Sequence, residues 1–147
     1  MKPTACCQCS DRSDDVAGPD ADKNGIRDDI DAYIAKQGYT PKQMAAVQQL
    51  ARGFQRAVMV AASGTVAITA ASPIADYLTA AGDCVFSRFP APGTAAYVTT
   101  SSNVIDTYEK ITANTKLRVL SYLRYNQALD GTIGSLSQGS GEERCEN

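Results

Sequence analysis

Twelve consecutive residues, Asp20 to Asp31, carry oxygen-bearing side chains at fixed intervals around one glycine. Aspartate or asparagine stands at positions 1, 3, 5, 9 and 12 of this segment, and Gly25 stands at position 6. A hard cation such as Ca²⁺ is bound by several oxygen atoms, and a loop with this spacing surrounds one ion while its glycine permits a sharp turn. The segment therefore predicts a calcium loop at the start of the folded domain.

The predicted metal ligands are side-chain oxygens and one backbone carbonyl. They are Asp20, Asp22, Asn24, the carbonyl of Ile26, Asp28 (directly or through water) and Asp31. Because Asp31 replaces the usual glutamate of position 12 by a shorter carboxylate, Mg²⁺ stays an alternative to Ca²⁺. Arg27 occupies a position that is apolar in paired loops, which predicts a solitary loop. The other interpretation is an aspartate-rich turn that binds no ion.

The loop resembles those of dockerins and thrombospondin type 3 repeats, and more loosely those of EF-hands. The resemblance covers Asp20 to about Ile34, and it occurs once, so the partners of those proteins are not implied. The wider pattern, with the alanine-rich body and the segment Cys84 to Phe89, is similar to small exported, lipoprotein-like proteins of proteobacteria with no assigned role. That resemblance implies a protein outside the cytosol and implies no activity.

Apolar residues recur at spacings of three and four in an alanine-rich chain without tryptophan, which favours helices. The predicted fold is all-α: a small antiparallel bundle of about four helices behind an N-terminal loop that forms half of an EF-hand. We expect helices over about 27–37, 41–62, 72–85 and 101–129. The predicted regions are a flexible or extended leader (1–19), the loop and bundle (20–131) and a Gly/Ser-rich tail (132–147).

Two of these helices have clear start signals in the sequence. Thr40 can cap the second helix, with Pro41 at its first position and Gln43 closing a capping box. Pro73 predicts the start of the third helix by the same device. Gly64 is expected to break the second helix, unless it continues with a kink through Ile68.

The chain has five cysteines, of which three crowd its beginning and two stand alone. In an oxidising compartment the simplest pairing joins Cys84 to Cys145 and ties the tail to the body. The odd count leaves Cys6 as a candidate lipid-anchor site, if the native chain begins upstream of Met1. The alternatives are a cytosolic start and a soft-metal site that uses the early cysteines.

The absence of histidine removes Ser-His-Asp and Cys-His catalysis and most zinc sites. The net charge of -2 disfavours nucleic acid as the partner, and no apolar run is long enough for a transmembrane segment. Tyr39 and Tyr97 are interface candidates near loops, while Lys116, Arg118 and Arg124 are expected on a solvated helix face, with an acidic partner as the alternative.

The sequence thus predicts a non-enzymatic, calcium-binding helical protein of the periplasm or cell exterior that binds another protein. In its most concrete form it is an inhibitor or immunity protein that acts against a secreted toxin. One alternative is a structural or adaptor module in which calcium is purely stabilising. The other is a calcium-dependent enzyme, which the lack of histidine disfavours.

Overall fold

The computed structural model describes residues 10–91, 93, 100–134 and 141–146. Within these residues the chain forms five α-helices and one short 3-10 helix, and no strand, which confirms the predicted all-α bundle. The helices are α1 (Asp28–Ala35), α2 (Pro41–Val60), α3 (Ile68–Arg88), α4 (Ser101–Thr112) and α5 (Lys116–Ala128), and the 3-10 helix spans Gly141–Arg144. Met1, Cys6, Cys7, Cys9 and Tyr97 lie outside the described residues.

Helix α2 lies at the centre of the bundle and packs against each of the other four helices. Its start is the predicted one: the Thr40 hydroxyl accepts a hydrogen bond from the Gln43 backbone, and the Gln43 side chain accepts one from Thr40 N–H. Its small residues allow neighbouring helices to come close. At Gly53, for example, a Cβ atom would lie 2.6 Å from the Leu78 side chain of α3.

Helix α3 begins earlier than predicted, at Ile68, so that Pro73 lies inside it. The proline lacks an N–H and therefore removes one helical hydrogen bond. The added first turn places Ala71 in a fully buried cluster with Ala57, Ala61 and Tyr125. Burial of this turn outweighs the local signal for a helix start, and the predicted boundary at Ser72–Pro73 is wrong.

The long C-terminal helix that the sequence predicts is two helices, separated at Ala113 to Thr115. Thr115 has an extended backbone, and its hydroxyl accepts a hydrogen bond from Arg118 N–H, so it is the N-cap of α5. The side chain of Asn114 donates to Ser10 Oγ and to the Asp11 carbonyl. The break therefore exists because the polar pair Asn114–Thr115 caps one helix and binds the leader.

The end of the leader, residues 10–19, has no regular secondary structure and is fastened to the bundle by Arg118. This side chain is completely buried, which corrects its predicted place on a solvated face. Its guanidinium donates to the carbonyls of Asp11, Asp15 and Val16 at 2.6–3.2 Å and forms an ion pair with the Asp11 carboxylate. Burial raises the pKa of Asp11, but hydrogen bonds from Arg118 and Ser13 outweigh this effect and lower the pKa overall.

The other end of the chain is fastened to α2 and α3. Cys84 and Cys145, the predicted pair, form a disulfide that closes a separation of 61 residues. The buried amide of Gln49 donates to the Arg144 carbonyl and accepts from Glu146 N–H. Within the described ranges, no helix is both long and apolar enough to cross a membrane.

We expect Arg118→Met to lower the free energy of unfolding by about 3–5 kcal/mol, because it removes a donor from buried carbonyls and the positive charge that pairs with the Asp11 carboxylate. Urea denaturation followed by circular dichroism measures this loss. The matched control is Arg124→Met on the same helix, which should change stability by about 0.5 kcal/mol or less. Equal losses in the two variants would contradict the assigned role of Arg118.

Candidate metal centre

The loop between Pro19 and α1 is shaped by its own polar side chains. The Asp20 carboxylate accepts hydrogen bonds from Asn24 N–H at 3.1 Å and from Gly25 N–H at 3.0 Å. Gly25 has a φ of +82°, in the left-handed region that glycine adopts without steric cost. The sharp turn expected at position 6 is therefore present, with the first carboxylate on its inner side.

Three of the predicted ligands meet directly. Carboxylate oxygens of Asp20, Asp22 and Asp28 lie within 4.8 Å of one another, close enough to share one ion. Asp28 is the first residue of α1, and its carboxylate also accepts a hydrogen bond from Ala21 N–H at 2.9 Å. This cluster consists of hard oxygen donors, a set that suits a cation such as Ca²⁺ or Mg²⁺.

Asn24 connects the fourth carboxylate to this cluster. Its amide nitrogen lies 3.1 Å from a carboxylate oxygen of Asp22 and 2.7 Å from one of Asp31, and it donates to both. Its amide oxygen accepts from Ile26 N–H at 2.7 Å. The predicted ligands Asn24 and Asp31 thus border the cluster. Direct coordination by them, and by the Ile26 carbonyl, remains a prediction.

The cluster concentrates negative charge that the protein leaves uncompensated. No lysine or arginine in the described part of the chain forms an ion pair with Asp20, Asp22, Asp28 or Asp31. Burial, followed by the charges of the other three carboxylates, raises the pKa of Asp31. A bound cation would relieve this repulsion, so the residues present fit a divalent metal ion.

The face of the loop opposite the carboxylates belongs to the core. The Ile26 side chain is completely buried and joins Ile30 and Ile34 of α1 in the main hydrophobic cluster. Ile26, at position 7, therefore anchors the loop through its side chain. This role does not depend on whether its carbonyl binds an ion. The carboxylates are held at the surface by a loop whose other side is fixed against the bundle.

Arg27, next to Ile26, is the second buried arginine of the fold. Its guanidinium pairs with Asp29 and donates to the carbonyls of Ile111 at 2.9 Å and Thr112 at 3.3 Å. These carbonyls end α4, where the helix dipole favours a positive charge. Asp29 in turn accepts from Asp11 N–H at 2.7 Å, which joins the loop to the leader.

Sequence reasoning missed these anchoring roles. We interpreted Arg27 only as a mark of a solitary loop. The signal that could have revealed the partner of Arg27 is Asn114–Thr115, a capping sequence inside an apparently continuous helix. Recognising it would have predicted free carbonyls at the end of α4.

Comparison with known proteins adds no evidence about the residues of this site. No family model, curated protein or solved structure matches this sequence. The site is accordingly defined by its geometry and its donor atoms.

We expect Asp31→Asn to stabilise the metal-free protein at neutral pH. The raised pKa of Asp31 means that its contribution to stability is present in acid and is lost as the pH rises through that pKa. In chelator, the difference in unfolding free energy between the variant and the wild type should therefore grow from acid to neutral pH. Thermal melts across this range test it, with Asp14→Asn in the exposed leader as control, and a variant less stable than the wild type at neutral pH would contradict it.

Proposed function

We propose that this chain is a calcium-binding helical protein that acts outside the cytosol by binding another protein. The convergence of Asp20, Asp22 and Asp28 supports the metal, because their spacing in the sequence is that of a calcium loop. The disulfide supports the compartment, because disulfides persist in oxidising environments. The loop's attachment to core and leader favours a stabilising role for the ion.

A cleft at the far end of α1 supports a protein partner. It has a volume of about 510 Å³ and is lined by α4, by the segment that joins α1 to α2, by the residues that follow α3, and by one side chain each from α1 and α2. Its aromatic side chains are Tyr33, Tyr39 and Phe89, and amide groups such as that of Gln37 lie beside them. Aromatic rings with nearby hydrogen-bonding groups are typical of interfaces. Because α1 joins the loop to this cleft, an ion that fixes one end of the helix also stiffens the other.

The most concrete form of this proposal is an inhibitor or immunity protein that neutralises a secreted toxin. Such a protein needs a rigid binding surface and no catalytic group, which agrees with a small disulfide-tied bundle that lacks histidine. A gene for a toxin beside this one would support the proposal further.

A second candidate is a structural or adaptor module in which calcium only fastens the leader. It is favoured by the hydrogen bond from Asp28 N–H to the Pro19 carbonyl at 2.8 Å, which joins the leader to the first ligand-bearing turn of α1. In this case the ion would raise stability without changing the affinity for any partner.

We expect Ca²⁺ to raise the free energy of unfolding, by about 2.7 kcal/mol when it is present at about a hundred times its dissociation constant. Asp20→Asn with Asp22→Asn should abolish this increment, because it removes two of the converging carboxylates. Asp14→Asn with Asp15→Asn, which removes the same charge from the exposed leader, should retain it. Melting temperatures in calcium and in chelator measure the effect, and a loop variant that still responds fully to calcium would refute the loop assignment. Titration with Mg²⁺ distinguishes the two ions.

We expect the immobilised protein to capture one stoichiometric partner from the secreted and periplasmic fractions of its native organism. Tyr39→Arg should abolish capture, because a charge in the cleft opposes burial of the aromatic surface, whereas Phe86→Arg on the exposed side of α3 should not. Capture in calcium but not in chelator would favour the inhibitor, and equal capture would favour the adaptor. Failure to capture any partner in either buffer would overturn partner binding while leaving the calcium site intact.

A further inference from the structure

Helix α5 exposes four aliphatic side chains, while three of its polar or aromatic residues are buried. Arg118, Ser121 and Tyr125 are buried, whereas four aliphatic side chains are turned to the surface. These four, Leu117, Val119, Leu120 and Leu123, expose 42%, 41%, 38% and 56% of their area and are called here the outer face of α5. At about 100° per residue, they occupy one arc of roughly 160°. A surface helix normally turns such a stripe to the core, so this one needs a different partner.

The charges beside the outer face are positive. Lys116 and the exposed Gln127 lie near the middle of the same arc and Arg124 lies near its edge, and α5 contains no aspartate or glutamate. Long cationic side chains within an apolar face can keep their charge in a polar layer while their stems lie along apolar surface. The outer face therefore combines four aliphatic groups with two cations and one amide.

Two carboxylates interact with inward-facing residues of α5. Asp11 pairs with Arg118, and Glu109 approaches Tyr122, whose ring packs against the core. Within the described part of the chain, neither Lys116 nor Arg124 forms an ion pair with a carboxylate. The surface is therefore complementary to an anionic partner.

The kind of side chain favours a lipid surface over a protein. Energetically important positions of protein interfaces are enriched in tyrosine, tryptophan and arginine, with leucine and valine under-represented. The tyrosines of α5, Tyr122 and Tyr125, are packed against the core. Exposed leucines interspersed with cations, on a helix that has no acidic residue, suit the boundary between anionic headgroups and acyl chains, because apolar side chains and positive charges are both accommodated there.

The path of the chain agrees with this orientation. Ser10 is hydrogen-bonded to Asn114, two residues before α5 begins, so residues 1–9 join the described chain beside the start of this helix. Cys6 precedes Ser10 by four positions in the sequence, a chain length of at most about 14 Å. A lipid attached at that cysteine would lie on a tether short enough to hold the start of α5 near a bilayer.

We propose that the outer face of α5 is a docking surface for a bilayer that contains anionic phospholipids. The leucines enter the boundary between headgroups and acyl chains, and Lys116 and Arg124 pair with lipid phosphates. This inference depends neither on the proposed partner protein nor on a lipid at Cys6.

Vesicle flotation of the full, unlipidated chain tests the proposal. In chelator, the protein should float with vesicles made of equal parts phosphatidylglycerol and phosphatidylcholine, and much less with phosphatidylcholine alone. Leu120→Asp with Leu123→Asp should lower the bound fraction about tenfold or more, because it places two anions in the apolar face. The matched control is Ile68→Asp with Phe86→Asp, two exposed apolar residues of α3, which should retain binding.

Thermal melts of all variants establish that they are folded. Absence of flotation by the wild type, or equal losses in the two double variants, would overturn the proposal. So would binding that requires calcium and is insensitive to the α5 substitutions, since calcium would then bridge lipid phosphates to the acidic loop. Light scattering tests whether the outer face of α5 instead binds a second copy of this chain. A wild-type dimer that does not float, and that dissociates when Leu120→Asp and Leu123→Asp are introduced, would support that alternative and overturn the proposal.

Discussion

The burial of two guanidinium groups is the interaction on which the N-terminal half of this structure depends. A buried charge is tolerated only where ion pairs and hydrogen bonds replace its hydration. Arg27 meets this condition with Asp29 and the last carbonyls of α4, and Arg118 meets it with the leader and Asp11. The hydrogen bond from Asp11 N–H to the Asp29 carboxylate joins the two systems, so leader, loop and helix break are fixed together.

This arrangement explains how a short loop can hold converging carboxylates without a partner loop. Paired loops stabilise one another through a strand, whereas here Ile26 in the core and Arg27 against α4 fix the loop from behind. The carboxylates of Asp20 and Asp28 then face outward, and the rest of the fold keeps them close together despite their mutual repulsion. A divalent ion would remove that repulsion, which gives the proposed calcium site its link to stability.

The buried arginine of α5 also determines what that helix presents to solvent. Because the Arg118 side chain reaches the leader, the side of the helix that carries it faces inward, and the leucines of α5 are left on the surface. The same orientation brings the start of the described chain to the N-terminal end of α5, where Asn114 binds Ser10.

The sequence by itself determined the helical fold, the loop and the disulfide, because each depends on local spacing or on residue chemistry. Periodicity defined α2, the capping box defined its start, and the spacing of oxygen-bearing residues from Asp20 to Asp31 defined the loop. Only the tertiary structure decided where α3 begins, since burial of Ala71 outweighs the signal of Pro73. The tertiary structure alone also decided that α4 and α5 are separate helices and that Arg118 is buried rather than exposed. Both outcomes depend on contacts between residues about a hundred positions apart in the chain.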